Sequence, residues 1–443
     1  MTPPAETPAA AENGAVHLSA LPPIAPKTIE DTGLPPGFLL ELACKHLYFG
    51  GTMSLAVLSE RIALPVSVTS DVAELLKRER LAEVKRGGDV RASYIFALTD
   101  LGRERAREFL EVSGYAGAAP VTLACYGEVT RKQTARKIPI TAGRMAQAFQ
   151  GVVLPKGLLD RLGPAINSGR SLFLYGPSGS GKTFLAERLA KVLEGIIFIP
   201  RAIAVDSHVI RLFDPACHSE IDISQGLDTF GDILEGGPRC DRRFAVCERP
   251  VIVAGGELSL SMLDLSFDSG SRFYEAPLQL KANGGAFLID DLGRQLVRPF
   301  DLFNRWIMPL EKGRDYLTLQ TGKKFEVPFD QMIIFSTNIE PRELADEAFL
   351  RRLGYKIRIG HISPPEYMAI SRQVCARLGL EFRPAAVKYL IEEEHAKRSV
   401  PLCACHPNDI LCRVVEICRY RGNPPNLTGD ILGQACRDYF TEL

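Results

Sequence analysis

The chain has 443 residues, of which 46% are apolar and 24% are charged, as is typical of a globular protein with about two or three domains. Lysine and arginine together number 53, the same as aspartate and glutamate, which excludes a global charge bias toward nucleic acid or anionic membranes. No apolar run approaches transmembrane length, and the first residues lack the basic and apolar segments of a signal peptide. We therefore expect a cytoplasmic protein with no membrane partner and with its eleven cysteines reduced.

The N-terminal part of the chain is predicted to contain an arm and a small domain. Residues 1–36 are rich in proline and alanine, so we expect a disordered arm there. Residues 37–113 carry the apolar periodicity of a separate unit. The predicted elements are helices over 38–48, 54–62 and 68–80, strands over 81–85 and 92–98 joined at Gly87-Gly88-Asp89, and a helix over 101–110.

This order of elements resembles a winged helix-turn-helix domain. The resemblance implies that residues 67–80 enter the major groove of DNA, with Arg86 and Arg91 on the wing. The alternative is a protein-binding module on the same fold. Affinity for DNA depends on phosphate neutralisation, and basic and acidic residues are balanced in this domain. The sequence therefore does not decide whether residues 54–95 bind DNA or a protein.

A basic linker is expected over residues 114–150, and a helix over 156–166 then leads to a glycine-rich motif. The motif fits G-x-x-x-x-G-K-[ST] without mismatch, follows the apolar run 172–175 and precedes an amphipathic helix, which is the context of a phosphate-binding loop. Its residues are Gly176, Pro177, Ser178, Gly179, Ser180, Gly181, Lys182 and Thr183. Backbone N–H groups would surround a polyphosphate, Lys182 would reach its β- and γ-phosphates, and Thr183 would hold Mg²⁺.

Further short apolar runs at 196–199, 286–289, 333–337 and 356–359 predict the other strands of a parallel α/β sheet. Asp290 and Asp291 follow the second of these runs as a Walker B pair. We expect Asp290 to bind Mg²⁺ and Asp291 to polarise the attacking water. Asn338 follows the next run and is expected to contact that water or the γ-phosphate.

Two adjacent arginines, Arg351 and Arg352, follow an apolar turn beyond Asn338. Such a pair suits a finger that enters a neighbouring subunit's site and stabilises the charge of the transition state. The alternative is a solvated pair of surface charges.

These motifs, in this order, resemble those of the AAA+ ATPases over about Lys156 to Leu443. The resemblance implies a P-loop NTPase fold with a five-stranded parallel sheet over residues 151–361 and a helical lid over 362–443. It also implies ATP and Mg²⁺ as ligands, hydrolysis of ATP to ADP and phosphate, and a ring, usually a hexamer, with Arg351 and Arg352 acting in trans. The second Walker B acid is usually Glu in this family, whereas this chain has Asp291.

An expected β-hairpin, with strands at 315–319 and 325–327, precedes the Asn338 strand. Its position resembles the pre-sensor-1 hairpin group of AAA+ proteins. Residues 249–255 and 258–265 are expected to form the extra hairpin and helix of MoxR-like members. A Gly-Ala-Phe-Thr-Gly-Ala loop, the mark of σ54-type activators, is not found in the sequence.

Four amphipathic helices over 367–378, 384–397, 407–420 and 428–440 match an AAA+ lid in number. Asn408 stands where many members carry a sensor-2 arginine, and Arg413 is the candidate to replace it at the nucleotide. Cys403, Cys405 and His406, with Cys412 and Cys418 nearby, allow a zinc site, although their spacing favours core cysteines.

The hypothesis that results is an ATP-hydrolysing machine with an N-terminal adaptor domain, most similar to MoxR-like chaperones that remodel protein complexes. One alternative is a DNA-acting motor or loader resembling RuvB-like members, or a regulator that binds DNA through its winged helix. Another is a nucleotide-switched regulator with little turnover, an alternative that rests on Asp291 and Asn408.

Overall fold

A computed structural model describes residues 22–87, 91–222, 240–344 and 346–440. Residues 1–21 of the expected arm and most of the expected hairpin turn at Gly87-Gly88-Asp89 lie outside the described residues. The helices are α1 (Pro36–Gly50), α2 (Leu55–Ile62), α3 (Val66–Arg78), α4 (Asp100–Val112), α5 (Leu123–Lys132), α6 (Ala142–Ala148), α7 (Leu158–Asn167), α8 (Lys182–Val192), α9 (Leu278–Lys281), α10 (Pro299–Lys312), α11 (Pro341–Leu344), α12 (Glu347–Leu350), α13 (Pro364–Leu378), α14 (Pro384–Tyr389), α15 (His406–Tyr420) and α16 (Gly429–Tyr439).

The strands are β1 (Thr52–Ser54), β2 (Ala82–Arg86), β3 (Ile95–Leu98), β4 (Val121–Thr122), β5 (Leu172–Tyr175), β6 (Ile196–Pro200), β7 (Ala202–Val205), β8 (His208–Arg211), β9 (Phe244–Glu248), β10 (Val251–Ala254), β11 (Ser266–Asp268), β12 (Phe273–Glu275), β13 (Ala286–Ile289), β14 (Arg314–Thr318), β15 (Lys324–Pro328), β16 (Met332–Thr337) and β17 (Tyr355–Arg358). The chain folds into two compact units, each built from several segments.

The first unit contains residues up to Thr134, the segment Glu194–Pro250 and the segment Ser266–Ala276. Helices α1–α4 and strands β2 and β3 correspond to the elements predicted for residues 37–113. Strand β1, which was not predicted, completes a three-stranded antiparallel sheet in the order β1-β3-β2. Side chains fix the starts of two of these helices, because Ser54 Oγ accepts from Val57 N–H and Thr99 Oγ1 accepts from Gly102 N–H.

The chain on either side of these helices also packs into the first unit. Ile29 and Leu34, in the segment expected to be a disordered arm, are buried in the same core as the helices. The segment 114–150, expected to be a linker, contains β4 and α5 in the first unit and α6 in the second unit. Strand β4 lies at the edge of a second sheet, in the order β11-β12-β8-β7-β4.

The second unit contains a five-stranded parallel sheet in the order β10-β13-β16-β5-β17. Strands β13 and β16 are buried along their whole length, as expected for a parallel sheet covered on both faces. Helices α7 and α8 supply much of the apolar core against it. The predicted α/β fold with a five-stranded parallel sheet is therefore confirmed.

One strand of this sheet is not the predicted one. The run 196–199 was expected to be a sheet strand, but β6 pairs antiparallel with β9 in a separate ribbon of the first unit. The sheet instead takes β10, which pairs in parallel with β13. The expectation of an extra hairpin over 249–255 and a helix over 258–265 is also wrong, since that region holds β10 and a single 3-10 turn, Leu260–Leu263.

The other predicted insertion is present. Strands β14 and β15 form an antiparallel hairpin between α10 and β16. Arg305 of α10 binds the first strand of this hairpin through Asp315, which is buried. The guanidinium donates to both carboxylate oxygens of Asp315, at 2.6 and 3.0 Å.

The C-terminal segment is helical, as predicted. It comprises α13, α14 with a π-helical continuation at Leu390–His395, α15 and α16. Ser363 and Glu366 form a capping box at the start of α13. Across the described residues, no helix combines the length and the apolar character needed to cross a membrane.

Candidate functional site

The glycine-rich loop joins β5 to α8 at the carboxyl edge of the parallel sheet. Gly176 has φ +144°, and a Cβ there would lie 2.0 Å from the carbonyl oxygen of Ile359. Gly179 has φ +75°, and a Cβ there would lie 2.4 Å from the sulfur of Cys405. Glycine is therefore required at both positions, by backbone conformation and by close neighbours. The loop ends at the N-terminus of α8, where unpaired N–H groups and the helix dipole favour an anion.

Lys182 is the cationic group at the bottom of this loop. Its side chain is buried, and its ammonium donates to the carbonyl oxygens of Gly176 at 3.0 Å and Pro177 at 2.8 Å. Burial lowers the pKa of Lys182 below its usual value, while the negative charges of Asp291 and Asp290 oppose this shift. A buried ammonium held by carbonyl dipoles is suited to exchange those weak partners for phosphate oxygens.

Thr183 and Asp290 lie together, as the sequence predicts for a magnesium site. The hydroxyl of Thr183 donates to Asp290 Oδ1 at 2.8 Å and lies 3.1 Å from Oδ2. Hydroxyl and carboxylate oxygens are hard donors of the kind that Mg²⁺ binds through one or two protein ligands. The residues present therefore fit Mg²⁺.

Asp291 and Asn338 also reach the same cleft, although they follow different strands. Both residues line a cleft of about 790 Å³ together with Lys182 and Thr183. β13 and β16 are adjacent in the sheet, so their carboxyl ends bring these polar residues side by side. Ser178, Gly179, Ser180 and Gly181 line the cleft as well, whereas Gly176 and Pro177 contribute the carbonyls that hold Lys182.

Part of the cleft lining is apolar. Its walls come from the segment before α7 and from α13 of the helical segment, with these residues among them: Val152, Leu154, Ile370 and Val374. Gln373 Nε2 donates to the carbonyl oxygen of Gly151 at 2.9 Å and so joins the two walls. The cleft thus combines apolar walls with a small number of polar groups, as small-molecule sites usually do.

The helical segment contributes a residue that the sequence did not indicate. Arg377 of α13 lines the cleft, and its guanidinium donates to Asn408 Oδ1, a second lining residue from α15. Arg413, proposed to bind the nucleotide, is not among the described residues that line the cleft. Its guanidinium lies 5.3 Å from the centre of the Tyr439 ring and donates to the carbonyl of Asp438. Arg377 is therefore the arginine of this segment that lies at the cleft, and a contact of Arg413 with nucleotide stays a prediction.

Arg351 and Arg352 follow α12 and are both exposed. Phe349 anchors this short helix by stacking on Phe303 of α10, with ring centroids 4.1 Å apart. Arg352 Nε lies 3.6 Å from Glu311 Oε2. Neither arginine is among the described residues that line the cleft of its own chain.

The cysteine-rich stretch forms a loop over the glycine-rich loop. Cys405 lines the cleft and its backbone N–H donates to the carbonyl of Gly179 at 3.1 Å, while Cys403 is buried. Burial raises the pKa of both thiols. Cys403 therefore fits the expected core role, whereas Cys405 is part of the cleft wall.

Two stacked histidines support this loop, and we predict that they make its stability depend on pH. His406 is buried, stacks on His395 with ring centroids 5.0 Å apart, and accepts from Cys403 N–H through Nδ1. Burial lowers the pKa of His406 to about 4 from 6.5, with His395 and His361 adding to the shift and Asp409 opposing it. Its neutral form is thus favoured on folding. The contribution of neutral His406 to the stability of the folded protein is complete above pH 6.5 and is lost as pH falls toward 4.

The expected loss is at most about 3 kcal/mol. Thermal melting followed by circular dichroism over this pH window should show a steeper loss of stability in the wild type than in His406→Gln. Equal pH dependence in the two proteins would contradict the assignment.

Residues 363–438, which lie in helices α13–α16 and their connections, match a family model described as Domain of unknown function (DUF8689). No curated protein sequence matches the chain. Among solved structures, the chain is similar to NtrX from Brucella abortus in complex with ATP, at 15% identity over 68% of this chain, with a TM-score of 0.38. The similarity spans 57% of that NtrX chain, a little over half of its length.

The chain is also similar to the Thermotoga maritima RuvB Holliday junction branch migration motor. The identity is 13%, the TM-score is 0.33, and the coverage is 70% of this chain and 68% of that chain. Since both likenesses are weak, we infer the function from the cleft itself.

Proposed function

We propose that this protein binds and hydrolyses ATP as a member of the AAA+ ATPases. The observation that carries the proposal is the convergence of Lys182, Thr183, Asp291 and Asn338 on one cleft that begins at a phosphate-binding loop. The apolar walls of the cleft suit an adenine base.

Each polar residue then has a separate task. The glycine-rich loop and Lys182 bind the β- and γ-phosphates, and Asp291 orients and polarises the attacking water. Thr183 and Asp290 would hold Mg²⁺, which neutralises charge on the phosphates when it is bound. Asn338 fixes the position of the water or of the γ-phosphate. The protein forms no covalent bond to the substrate in this scheme, because phosphoryl transfer depends mainly on positioning the reacting groups and stabilising charge on the phosphates.

Arg377 is assigned to the γ-phosphate, with Asn408 holding its guanidinium. We predict that Arg377→Ala weakens ATP binding about tenfold and weakens ADP binding much less, because a charge-assisted hydrogen bond is lost only from the triphosphate. Calorimetric titration with both nucleotides checks this result. Arg372→Ala, on the same helix and also exposed, is the matched control. Equal losses for ATP and ADP would contradict the assignment.

We propose that the active form is a ring, with six as the expected number of subunits. In this ring, Arg351 and Arg352 of one subunit complete the cleft of the next. Support comes from their exposure and their absence from the described lining of their own cleft. Two inactive variants are mixed to test whether arginines of one subunit serve the cleft of another. Lys182→Ala subunits keep their arginines, and Arg351→Ala/Arg352→Ala subunits keep their cleft. Recovery of hydrolysis on mixing supports a finger acting in trans, and a fully active monomer would contradict it.

We propose that the N-terminal domain is a winged helix-turn-helix that binds protein, so that the ATPase remodels protein complexes as MoxR-like members do. The candidate recognition helix α3 exposes two acids, Asp71 and Glu74, beside two bases, Lys77 and Arg78, and Lys77 is paired with Glu74 at 3.0 Å. Such a balanced face releases few counterions from DNA. The β14–β15 hairpin is a second candidate contact surface for the client.

One assay tests the proposal and its rivals together. ATP hydrolysis by the full chain is measured with and without duplex DNA at low salt, and the mass in solution is measured with ATP. The proposal predicts turnover that DNA does not stimulate and an ATP-dependent oligomer. Stimulation by DNA would favour a motor, loader or regulator acting on DNA, and tight binding without turnover would favour a nucleotide switch.

A further inference from the structure

The two Walker B aspartates lie at the start of a turn that is held by a side chain outside the recognised motifs. Gln295 Nε2 donates to the carbonyl oxygen of Asp290 at 2.7 Å and to that of Asp291 at 3.1 Å. Gln295 Oε1 accepts from the backbone N–H of Gly293 at 2.8 Å. Both ends of this half-buried amide are therefore directed at the backbone of one turn.

The turn is strained at the residue that carries the reactive carboxylate. Asp291 has φ +48°, a left-handed conformation that costs a non-glycine residue about 1–2 kcal/mol. The next residue is fixed on the neighbouring strand, because Leu292 N–H donates to the Ser336 carbonyl and Thr337 Oγ1 donates to the Leu292 carbonyl. The conformation of Asp291 is thus determined by β16 on one side and by Gln295 on the other.

We propose that Gln295 is a positioning residue for ATP hydrolysis, which holds the Asp291 backbone left-handed so that its carboxylate faces the phosphate loop. An aspartate is one methylene shorter than a glutamate, so its reach into the cleft depends strongly on the backbone that carries it. Removing the amide releases two carbonyls and one N–H, and the strained turn then relaxes toward ordinary backbone conformations. This inference rests on the proposed hydrolysis of ATP.

Gln295→Met is the variant that tests the proposal, because methionine is similar in size and lacks all three hydrogen bonds. We expect kcat to fall about tenfold or more, as for other residues that orient a reacting group, while the Kd for ATP and the melting temperature remain close to those of the wild type. Gln147→Met, the same change at an exposed position of α6, is the matched control.

Gln295→Glu adds a readout that a merely structural role would not give. An ionised carboxylate there still accepts from Gly293 N–H but cannot donate to the two aspartate carbonyls. We therefore expect its kcat to fall while its melting temperature stays close to that of the wild type, a split that a merely structural role would not give.

Unchanged kcat in Gln295→Met, or equal losses of kcat and of ATP affinity, would overturn the positioning role in a wild type that hydrolyses ATP. A wild type that does not hydrolyse ATP would instead contradict the proposed function, and the positioning role would fall with it.

Discussion

Replacing Lys182 with alanine should abolish ATP binding at ordinary assay concentrations while the protein remains folded. The ammonium is buried, and the two carbonyls that hold it in this structure are weaker partners than phosphate oxygens. Truncating one partner of a desolvated charge pair costs roughly 2–5 kcal/mol, which is about 30-fold to several thousand-fold in Kd. Lys182 therefore carries the largest expected effect on binding.

Calorimetric titration with ATP measures this loss, and a melting curve checks that the variant is folded. Lys191→Ala provides the matched control, since Lys191 lies near the other end of the same helix α8 and is exposed. Retention of wild-type affinity by a folded Lys182→Ala protein would mean that the loop does not bind the phosphates.

The second large effect is expected on turnover. Asp291→Asn should lower kcat by about 100-fold or more, the usual range for loss of a positioned acid–base group, and leave ATP affinity nearly unchanged. Asparagine suits this position structurally, because it tolerates the left-handed backbone that Asp291 adopts at φ +48°. The change therefore removes the charge and keeps the turn.

Steady-state phosphate release gives kcat, and the same calorimetric titration gives Kd. Asp206→Asn is a useful control, since Asp206 is another exposed aspartate with a left-handed backbone, at φ +53°, and belongs to the first unit. Wild-type turnover in Asp291→Asn would remove Asp291 from the mechanism.

Contiguous motifs were the part of the site that the sequence could predict. The phosphate loop needs consecutive residues with special backbone angles. Its residues can therefore be recognised within one stretch of sequence. Asp290, Asp291 and Asn338 could be predicted because each follows a buried strand, and adjacent parallel strands place their carboxyl ends together.

The fifth sheet strand could not be predicted in the same way. The runs at 196–199 and 251–254 are both short and apolar, and either satisfies the pattern of a buried strand. Over Glu194–Pro250 the chain belongs to the other unit, to which the first run contributes β6, paired with β9 in a ribbon. Hydrophobicity indicates that a strand is buried, but not which sheet buries it.

The two residues proposed to act from a helix face and from a turn could not be predicted for a related reason. Arg377 and Arg413 both lie on amphipathic helices of the C-terminal segment, and only the packing of α13 against α15 decides which of them faces the cleft. Gln295 belongs to no motif, and its contacts depend on the fold of a short turn. Such residues carry no local signal beyond being polar.

The most direct test of the account is an equilibrium titration of the full wild-type chain with a fluorescent ATP analogue in the presence of Mg²⁺. We predict saturable binding that unlabelled ATP displaces and that Lys182→Ala abolishes. Binding that survives Lys182→Ala, or no displaceable binding by the folded wild type, would contradict the claim that this cleft holds a nucleoside triphosphate.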